Sequence, residues 1–70
     1  TGAVTIDQAQ KLALERVPGA DASHIRIKTD TDNGKTIFEG SIIYDNVEYD
    51  FEIDAATGSI LEWDSESVFD

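Results

Sequence analysis

The sequence predicts an α+β fold in which an N-terminal α-helix packs on one face of a four-stranded antiparallel β-meander. Apolar residues recur at helical spacing over residues 6–17 and alternate with polar residues in the later segments. Short polar stretches that contain Asn, Asp and Gly separate the alternating segments, as in β-hairpins. The 70 residues make one small domain, and because there is no Cys its stability must come from packing.

The helix is predicted to begin after Thr5 and to end at Pro18-Gly19. Thr5 can accept a hydrogen bond from the backbone three residues on, while the Gln8 side chain reaches back to Thr5. Pro18 cannot supply the helical N–H, so the helix should stop there. The apolar stripe consists of Ile6, Ala9, Leu12, Ala13 and Val17. We interpret this stripe as core, because an apolar stripe at this spacing ordinarily faces the rest of the domain.

The first strand is predicted from about His24 to Thr29, where apolar and polar residues alternate. Asn33-Gly34 is a strong turn signal, so we interpret the polar residues 30–34 as a hairpin turn. We take residues 30 and 35 as the flanks of this turn. The register that follows pairs Ile27 with Phe38 on the inner face and Arg26 with Glu39 on the outer face.

The second and third strands are joined by the two-residue turn Asp45-Asn46, whose residue types tolerate positive φ. Pairing Tyr44 with Val47 sets the register of the whole hairpin. The inner pairs are then Ile42 with Tyr49, Gly40 with Phe51 and Phe38 with Ile53, and the outer pairs are Ile43 with Glu48, Ser41 with Asp50 and Glu39 with Glu52. A slip of one residue would bring carboxylates against the core, so this register is strongly preferred. Gly40 would leave room for the Phe51 ring.

The last strand is predicted around Ile60–Trp63, after a turn that ends at Gly58. We expect Leu61 and Trp63 to face the core and Ile60 to face outward, unless a bulge after Gly58 changes the faces. Residues 1–4 are assigned to a disordered or cloning-derived leader, 5–66 to the domain and 67–70 to a C-terminal tail.

The acidic residues are concentrated in the second half of the chain. The net charge is −10, and residues 36–70 contain ten acids and no base. Such a surface disfavours nucleic acid and anionic membranes, whose binding depends on basic residues. The carboxylates either keep the domain soluble or attract a cationic partner or a divalent ion. The weak calcium candidates are Asp30, Asp32, Glu39, Glu48, Asp50 and Glu52, although residues 30–41 do not have the ligand spacing of an EF-hand.

Catalytic chemistry is poorly supported by the sequence. There is no Cys, and the single His24 has no nucleophile or metal ligand paired with it in a known motif, so we interpret it as exposed or hydrogen-bonded. The carboxylates of Glu48, Asp50 and Glu52 lie about 6.6–6.8 Å apart on one strand face, with Glu39 opposite Glu52, and these separations resemble those of glycosidases. The outer face of a small meander, however, offers no cleft to exclude water. We therefore expect no enzyme activity, no catalytic residue, no metal centre and no cofactor.

The outer face of the sheet is the candidate surface for a protein partner. Its apolar members on this prediction are Ile37, Ile43 and Ile60, and its acidic members are Glu48, Asp50 and Glu52. A protein partner could be bound through this face or through an exposed strand edge. The alternative is a structural, self-associating module, which the outward isoleucines would support.

Two segments resemble a known family. The first is the helix segment Ala9-x-x-Leu12-Ala13-Leu14. The second is the stretch from Glu48 to Asp64, which reads E-Y-D-F-E-I-D-A-A-T-G-S-I-L-E-W-D. Together they resemble the PepSY domain of peptidase propeptides, over about residues 5 to 66. The resemblance implies a secreted, lipoprotein or other cell-envelope bacterial protein. It also implies a non-enzymatic module that inhibits or regulates a peptidase, with a secreted metallopeptidase as the candidate partner, and it supplies no catalytic residue.

Overall fold

The fold consists of one helix and a four-stranded sheet, seen in a computed structural model that describes residues 3–68. The elements are helix α1 (Ile6–Leu14) and strands β1 (Ile25–Asp32), β2 (Lys35–Tyr44), β3 (Val47–Asp54) and β4 (Ile60–Ser67). All neighbouring strands are antiparallel, in the order β1-β2-β3-β4. This arrangement confirms the predicted α+β fold and the meander.

Helix α1 begins as predicted and ends earlier than predicted. The Thr5 side chain accepts a hydrogen bond from the Gln8 backbone at 3.1 Å, and the Thr5 N–H donates to Gln8 Oε1 at 2.8 Å. The helix nevertheless stops at Leu14, and the following turns are closed by the i to i+3 bonds from Arg16 and Val17. Pro18 explains this stop, since it disfavours helical backbone at the residue before it and cannot donate to Leu14.

The register of β1 on β2 differs by two residues from the prediction. Asn33 and Gly34 alone form the turn, with φ of 53° and 80°, so Asp32 pairs with Lys35. Lys28 rather than Arg26 therefore lies opposite Glu39, and Ile27 lies opposite Gly40. The predicted pairs of Ile27 with Phe38 and Arg26 with Glu39 are wrong. A shift of two residues keeps every side chain on its predicted face, because the pleat has a period of two.

The register of β2 on β3 is as predicted along its whole length, from Tyr44 opposite Val47 to Phe38 opposite Ile53. Asp45 and Asn46 have φ of 54° and 65°, as a two-residue hairpin turn requires. Gly40 lies opposite Phe51 as predicted, and the backbone of β1 lies close to it as well. A Cβ on Gly40 would overlap the carbonyl oxygen of Arg26 and lie 2.9 Å from the Ile27 Cα, so the close neighbour is the β1 backbone.

The start of β4 contains a β-bulge, which reverses two of the predicted orientations. Glu52 pairs with Glu62 whereas Ile53 pairs with Ile60, so Leu61 is the extra residue. Ile60 packs against the core, and the Leu61 side chain is 51% exposed. Trp63 faces inward as predicted. Ile60 and Leu61 are adjacent and both apolar, so the sequence alone does not indicate which of them the bulge turns outward.

The core lies between α1 and the inner face of the sheet. Its buried members are Ala9, Ala13, Val17, Phe38, Ile42, Phe51, Ile53 and Ala55. Alanines on the buried side of α1 let the helix lie close to the sheet, and α1 packs on β1 and β2. The second hairpin, β3–β4, therefore has less helix above it than the first.

The two ends of the chain lie beside the sheet where they are described. The Val4 N–H donates to the Ala55 carbonyl at 2.8 Å, and the Val68 N–H donates to the Asn46 carbonyl at 3.0 Å. Parts of the leader assigned to residues 1–4 and of the tail assigned to 67–70 lie outside the described residues. Strand β4 itself continues to Ser67.

Candidate partner-binding surface

The outer face of β3 and β4 carries three rows of paired carboxylates, which we call the carboxylate ladder. Its rungs are the cross-strand pairs Glu48 with Glu66, Asp50 with Asp64, and Glu52 with Glu62. The ladder follows from the sequence, because acids occupy every second position on both strands and the bulge at Leu61 brings the two sets onto one face. Like charges placed directly opposite each other destabilise a sheet.

The charge of the outer face changes from one edge of the sheet to the other. On the β1 side, Lys28 Nζ lies 3.4 Å from Glu39 Oε1, and Arg26 lies opposite Ser41. Glu39 in turn lies opposite Glu52 of β3. The first hairpin thus contains a pair of opposite charges, Lys28 with Glu39. The second hairpin contains no basic residue, because residues 36–70 include neither Lys nor Arg.

Mutual repulsion changes the acidity of two ladder carboxyls. The negative charge of Asp50 raises the pKa of Glu48 above its ordinary value of 4.5, with smaller contributions from desolvation and Glu66. The pKa of Glu62 is also raised, first by a hydrogen bond with Asp64 that favours the protonated form and then by the charge of Glu52. Both shifts arise mainly from neighbouring acids, so keeping Glu48 and Glu62 ionised costs the folded domain free energy.

A shallow depression of about 520 Å³ crosses the middle of the outer face. Gly40 and Ser41 belong to its lining, which also includes Lys28, Asp50 and Asp64. Asp50 and Asp64 are exposed to solvent. An open depression of this kind can accept a side chain or an extended segment, but it does not remove water from a carboxylate as acid–base catalysis requires.

Aromatic residues lie behind the ladder, on the inner face of the same two strands. The Trp63 ring stacks on Phe51 with 5.8 Å between centroids and lies 5.9 Å from the Tyr49 ring. The Arg16 guanidinium lies 4.6 Å from the Trp63 ring centroid, which is a cation–π distance. Tyr49 and Trp63 remain partly accessible, so the edge beside β4 presents acids on one face and an aromatic residue on the other.

Residues 3–64 match the family model PepSY, described as "Peptidase propeptide and YPEB domain". The chain belongs to the PepSY family. It is also 35% identical over 66 residues to the uncharacterized protein Spy1430 of Streptococcus pyogenes serotype M6. That alignment covers 91% of this chain and 51% of Spy1430, so the chain spans about half the length of this relative. No solved structure matches the chain.

Membership confirms the resemblance found in the sequence and defines the general type of module. PepSY domains are propeptide-like regulatory modules without catalytic function, they are associated with peptidases, and they occur in extracellular or cell-envelope proteins. Among residues 3–68 of this PepSY domain, no helix is long and apolar enough to cross a membrane.

The partner-binding residues predicted from the sequence fall into three groups in this PepSY domain. Glu48, Asp50 and Glu52 lie together as the β3 side of the ladder. Ile43 lies opposite Glu48 and is 50% exposed, and Ile37 lies on the same face at the other end of β2, opposite Asp54. The prediction that Ile60 lies on this face is wrong, because the bulge turns it toward the core.

The β4 side of the ladder, Glu62, Asp64 and Glu66, was missing from the predicted site. The sequence did contain a signal for it, since these three acids alternate with Trp63 and Ser65 and so continue the strand period. The signal was weak because serine is common in turns and tails as well as in strands. The predicted last strand covers only the residues around Ile60–Trp63, so the prediction does not assign the β3 acids any partners on β4.

The calcium candidates do not come together as one site. Asp30 and Asp32 lie on β1 opposite Ile37 and Lys35, whereas the other four lie on β2 and β3. Within residues 3–68, no group of three or more acidic or histidine residues has an arrangement that could hold a metal ion. His24 has local structural contacts: its Nδ1 accepts from the Asp21 N–H at 3.0 Å, and its ring meets the Tyr44 ring edge-on at 4.8 Å.

Proposed function

We propose that this PepSY domain is a non-enzymatic, extracellular or cell-envelope module that binds a peptidase and restrains it. The observation that carries the proposal is the carboxylate ladder on the uncovered face of β3 and β4. Other polar groups of the domain have roles within the fold, such as the Thr5 capping box and the Asp54 turn. The ladder instead costs the isolated domain free energy, which a partner with basic groups would restore.

The state of the ladder favours binding over catalysis. A general acid in an enzyme usually owes its raised pKa to burial in a cleft. Here Glu48 and Glu62 owe theirs chiefly to neighbouring acids on an open face. Such a surface increases the rate of encounter with a positively charged protein and selects against acidic ones.

Self-association through the outer face is less well supported. Of the three isoleucines that suggested it, Ile60 packs inward. Ile37 and Ile43 are six residues apart on one strand, which corresponds to about 20 Å. A symmetric dimer made by this face would place two ladders against each other, and their like charges would oppose association.

The proposal is tested by the hydrolysis of a peptide substrate by purified secreted metallopeptidases in the presence of the whole chain at micromolar concentration. We expect inhibition that weakens as the salt concentration rises, because exposed charge interactions are screened. Inhibition by none of the peptidases would overturn the proposal.

Two matched variants test whether the ladder is responsible for the inhibition. Each removes three negative charges: E48Q/D50N/E52Q on the ladder and D30N/D32N/D45N away from it. We expect the ladder variant to inhibit about fivefold or more weakly, since each exposed charge pair contributes up to about 1 kcal/mol. The control variant should stay within about twofold of the wild type. Equal losses in both would indicate an effect of net charge alone and would contradict a specific role for the ladder.

A further inference from the structure

The two edges of the sheet differ in charge and in covering. The edge strand β1 directs two bases and two acids outward, Arg26, Lys28, Asp30 and Asp32, and lies under helix α1. The edge strand β4 directs Glu62, Asp64 and Glu66 outward, and within residues 3–68 its only neighbour in the sheet is β3. An unpaired strand edge presents backbone groups that can pair with another extended chain. Among the described residues, no strand pairs with the outer edge of β4 over Glu62 to Glu66, so this stretch can accept a fifth strand.

The two faces of a fifth strand beside β4 would contact different groups, and these groups determine which side chains fit on each face. On the outer face its side chains would lie about 4.8 Å from the β4 carboxylates and would repeat every 6.6–6.8 Å along the strand. Lysine or arginine at every second position would place one cation beside each rung of the ladder. The long side chains would also reach toward the β3 acids, so each cation would offset the repulsion within a rung.

The inner face of the same edge selects for different residues. Trp63 is partly exposed there, and its covering consists of the Arg16 guanidinium and neighbouring aromatic rings. An apolar side chain in the added strand, opposite Trp63, would complete the burial of the indole. Tryptophan and arginine are residue types that commonly contribute most to the affinity of protein interfaces.

We propose that the β4 edge binds an extended segment of the partner protein by strand addition, in which Lys or Arg at alternate positions faces the ladder and an apolar residue between them covers Trp63. The proposal rests on the proposed function only in taking the partner to be a polypeptide. It adds which edge is used and what sequence pattern is recognised. A second copy of this chain does not fit, because two paired β4 strands would bring six carboxylates together, three from each copy.

The test uses the whole isotopically labelled chain and three synthetic peptides, observed by backbone amide NMR. One peptide alternates lysine with valine, the second has the same composition with its lysines in one block, and the third alternates glutamate with valine. We expect the alternating basic peptide to shift the amide signals of Glu62 to Glu66 and to slow their hydrogen exchange. It should bind about tenfold more tightly than the block peptide, which can attract the ladder but cannot match its spacing.

Variants assign the binding to the β4 edge. E62Q/D64N/E66Q should weaken binding of the alternating peptide about tenfold, whereas the control D30N/D32N/D45N should stay within about twofold. Equal affinity for the alternating and block peptides, shifts centred on β1, or no binding would each overturn the proposal. Peptidase inhibition is measured separately, so a domain that binds the alternating peptide at β4 without inhibiting any peptidase would contradict the proposed function and not this inference.

Discussion

The two hairpins of this domain differ in how charged side chains face each other across the strands. On β1–β2, Lys28 and Glu39 pair across the strands, and helix α1 lies over the inner face. On β3–β4, acids face acids at three successive positions. Natural sequences usually agree with their fold at every level, and the places where they do not are commonly functional. On the first hairpin the cross-strand charges offset each other, whereas on the second hairpin they repel each other.

The largest effect that we expect separates the two faces of a single strand. Ile42 is fully buried and the next residue, Ile43, is 50% exposed on the outer face. Ile42→Ala should lower the free energy of unfolding by about 3–4 kcal/mol, because it leaves a cavity in a thin core. Ile43→Ala should cost less than about 1 kcal/mol. Urea denaturation of both variants measures the difference, and similar losses would contradict the assignment of faces.

The next effect concerns the seam between β1 and β2. Gly40→Ala would push a methyl group into the β1 backbone at Arg26 and should cost roughly 2–3 kcal/mol. Gly34→Ala is the control, since its Cβ would meet no atom within 4 Å and only its φ of 80° is unfavourable for alanine. We expect about 1 kcal/mol for that change. If thermal unfolding shows Gly40→Ala to be the milder of the two, the close approach of β1 is not a constraint on the fold.

A smaller effect should appear in the pH dependence of stability. The raised pKa values of Glu48 and Glu62 mean that the folded domain binds protons more tightly than the unfolded chain. Stability should therefore rise as the pH falls from 7 toward the ordinary glutamate value of 4.5, and these contributions should be lost as the pH rises again. Glu48→Gln and Glu62→Gln should each make the dependence flatter.

The pH experiment is best read between pH 7 and 4.5. Below that range Asp21 acts in the opposite direction, since hydrogen bonds from Ser23 lower its pKa and its protonation destabilises the fold. Asp45→Asn, in the β2–β3 turn, removes one negative charge outside the ladder and is the comparison variant. Melting temperatures that fall steadily from pH 7 to 4.5 in the wild type would contradict the account of the ladder.

The smallest effect is expected on the first hairpin. Lys28→Ala removes the exposed ion pair with Glu39 and should cost about 0.5 kcal/mol or less, an effect that salt should reduce further. Arg26→Ala, opposite Ser41 instead of an acid, is the matched change. Equilibrium unfolding at low and high salt compares the two. A larger loss for Arg26 at low salt would favour the register that places Arg26 opposite Glu39.

The parts of the fold that could be predicted are those where the sequence pattern allows one register only. Between β2 and β3, alternation continues on both sides of a two-residue turn, so every pair from Tyr44 onward follows. Between β1 and β2 the alternation does not determine the register, because the residues near the turn are polar and a shift of two residues keeps each side chain on the same face. The β3 carboxylates are predictable as candidates for a partner surface, but the acids opposite them on β4 depend on a bulge that no residue type marks.

The most direct test of the unequal hairpins is a series of melting temperatures of the whole chain, measured at low salt with and without the alternating lysine–valine peptide. We predict that E62Q/D64N/E66Q melts a few degrees above the wild type when alone, because the repulsion within the rungs is removed. We also predict that the peptide raises the melting temperature of the wild type more than that of the variant. A variant that melts below the wild type and gains as much from the peptide would contradict the claim that the ladder is retained for a partner.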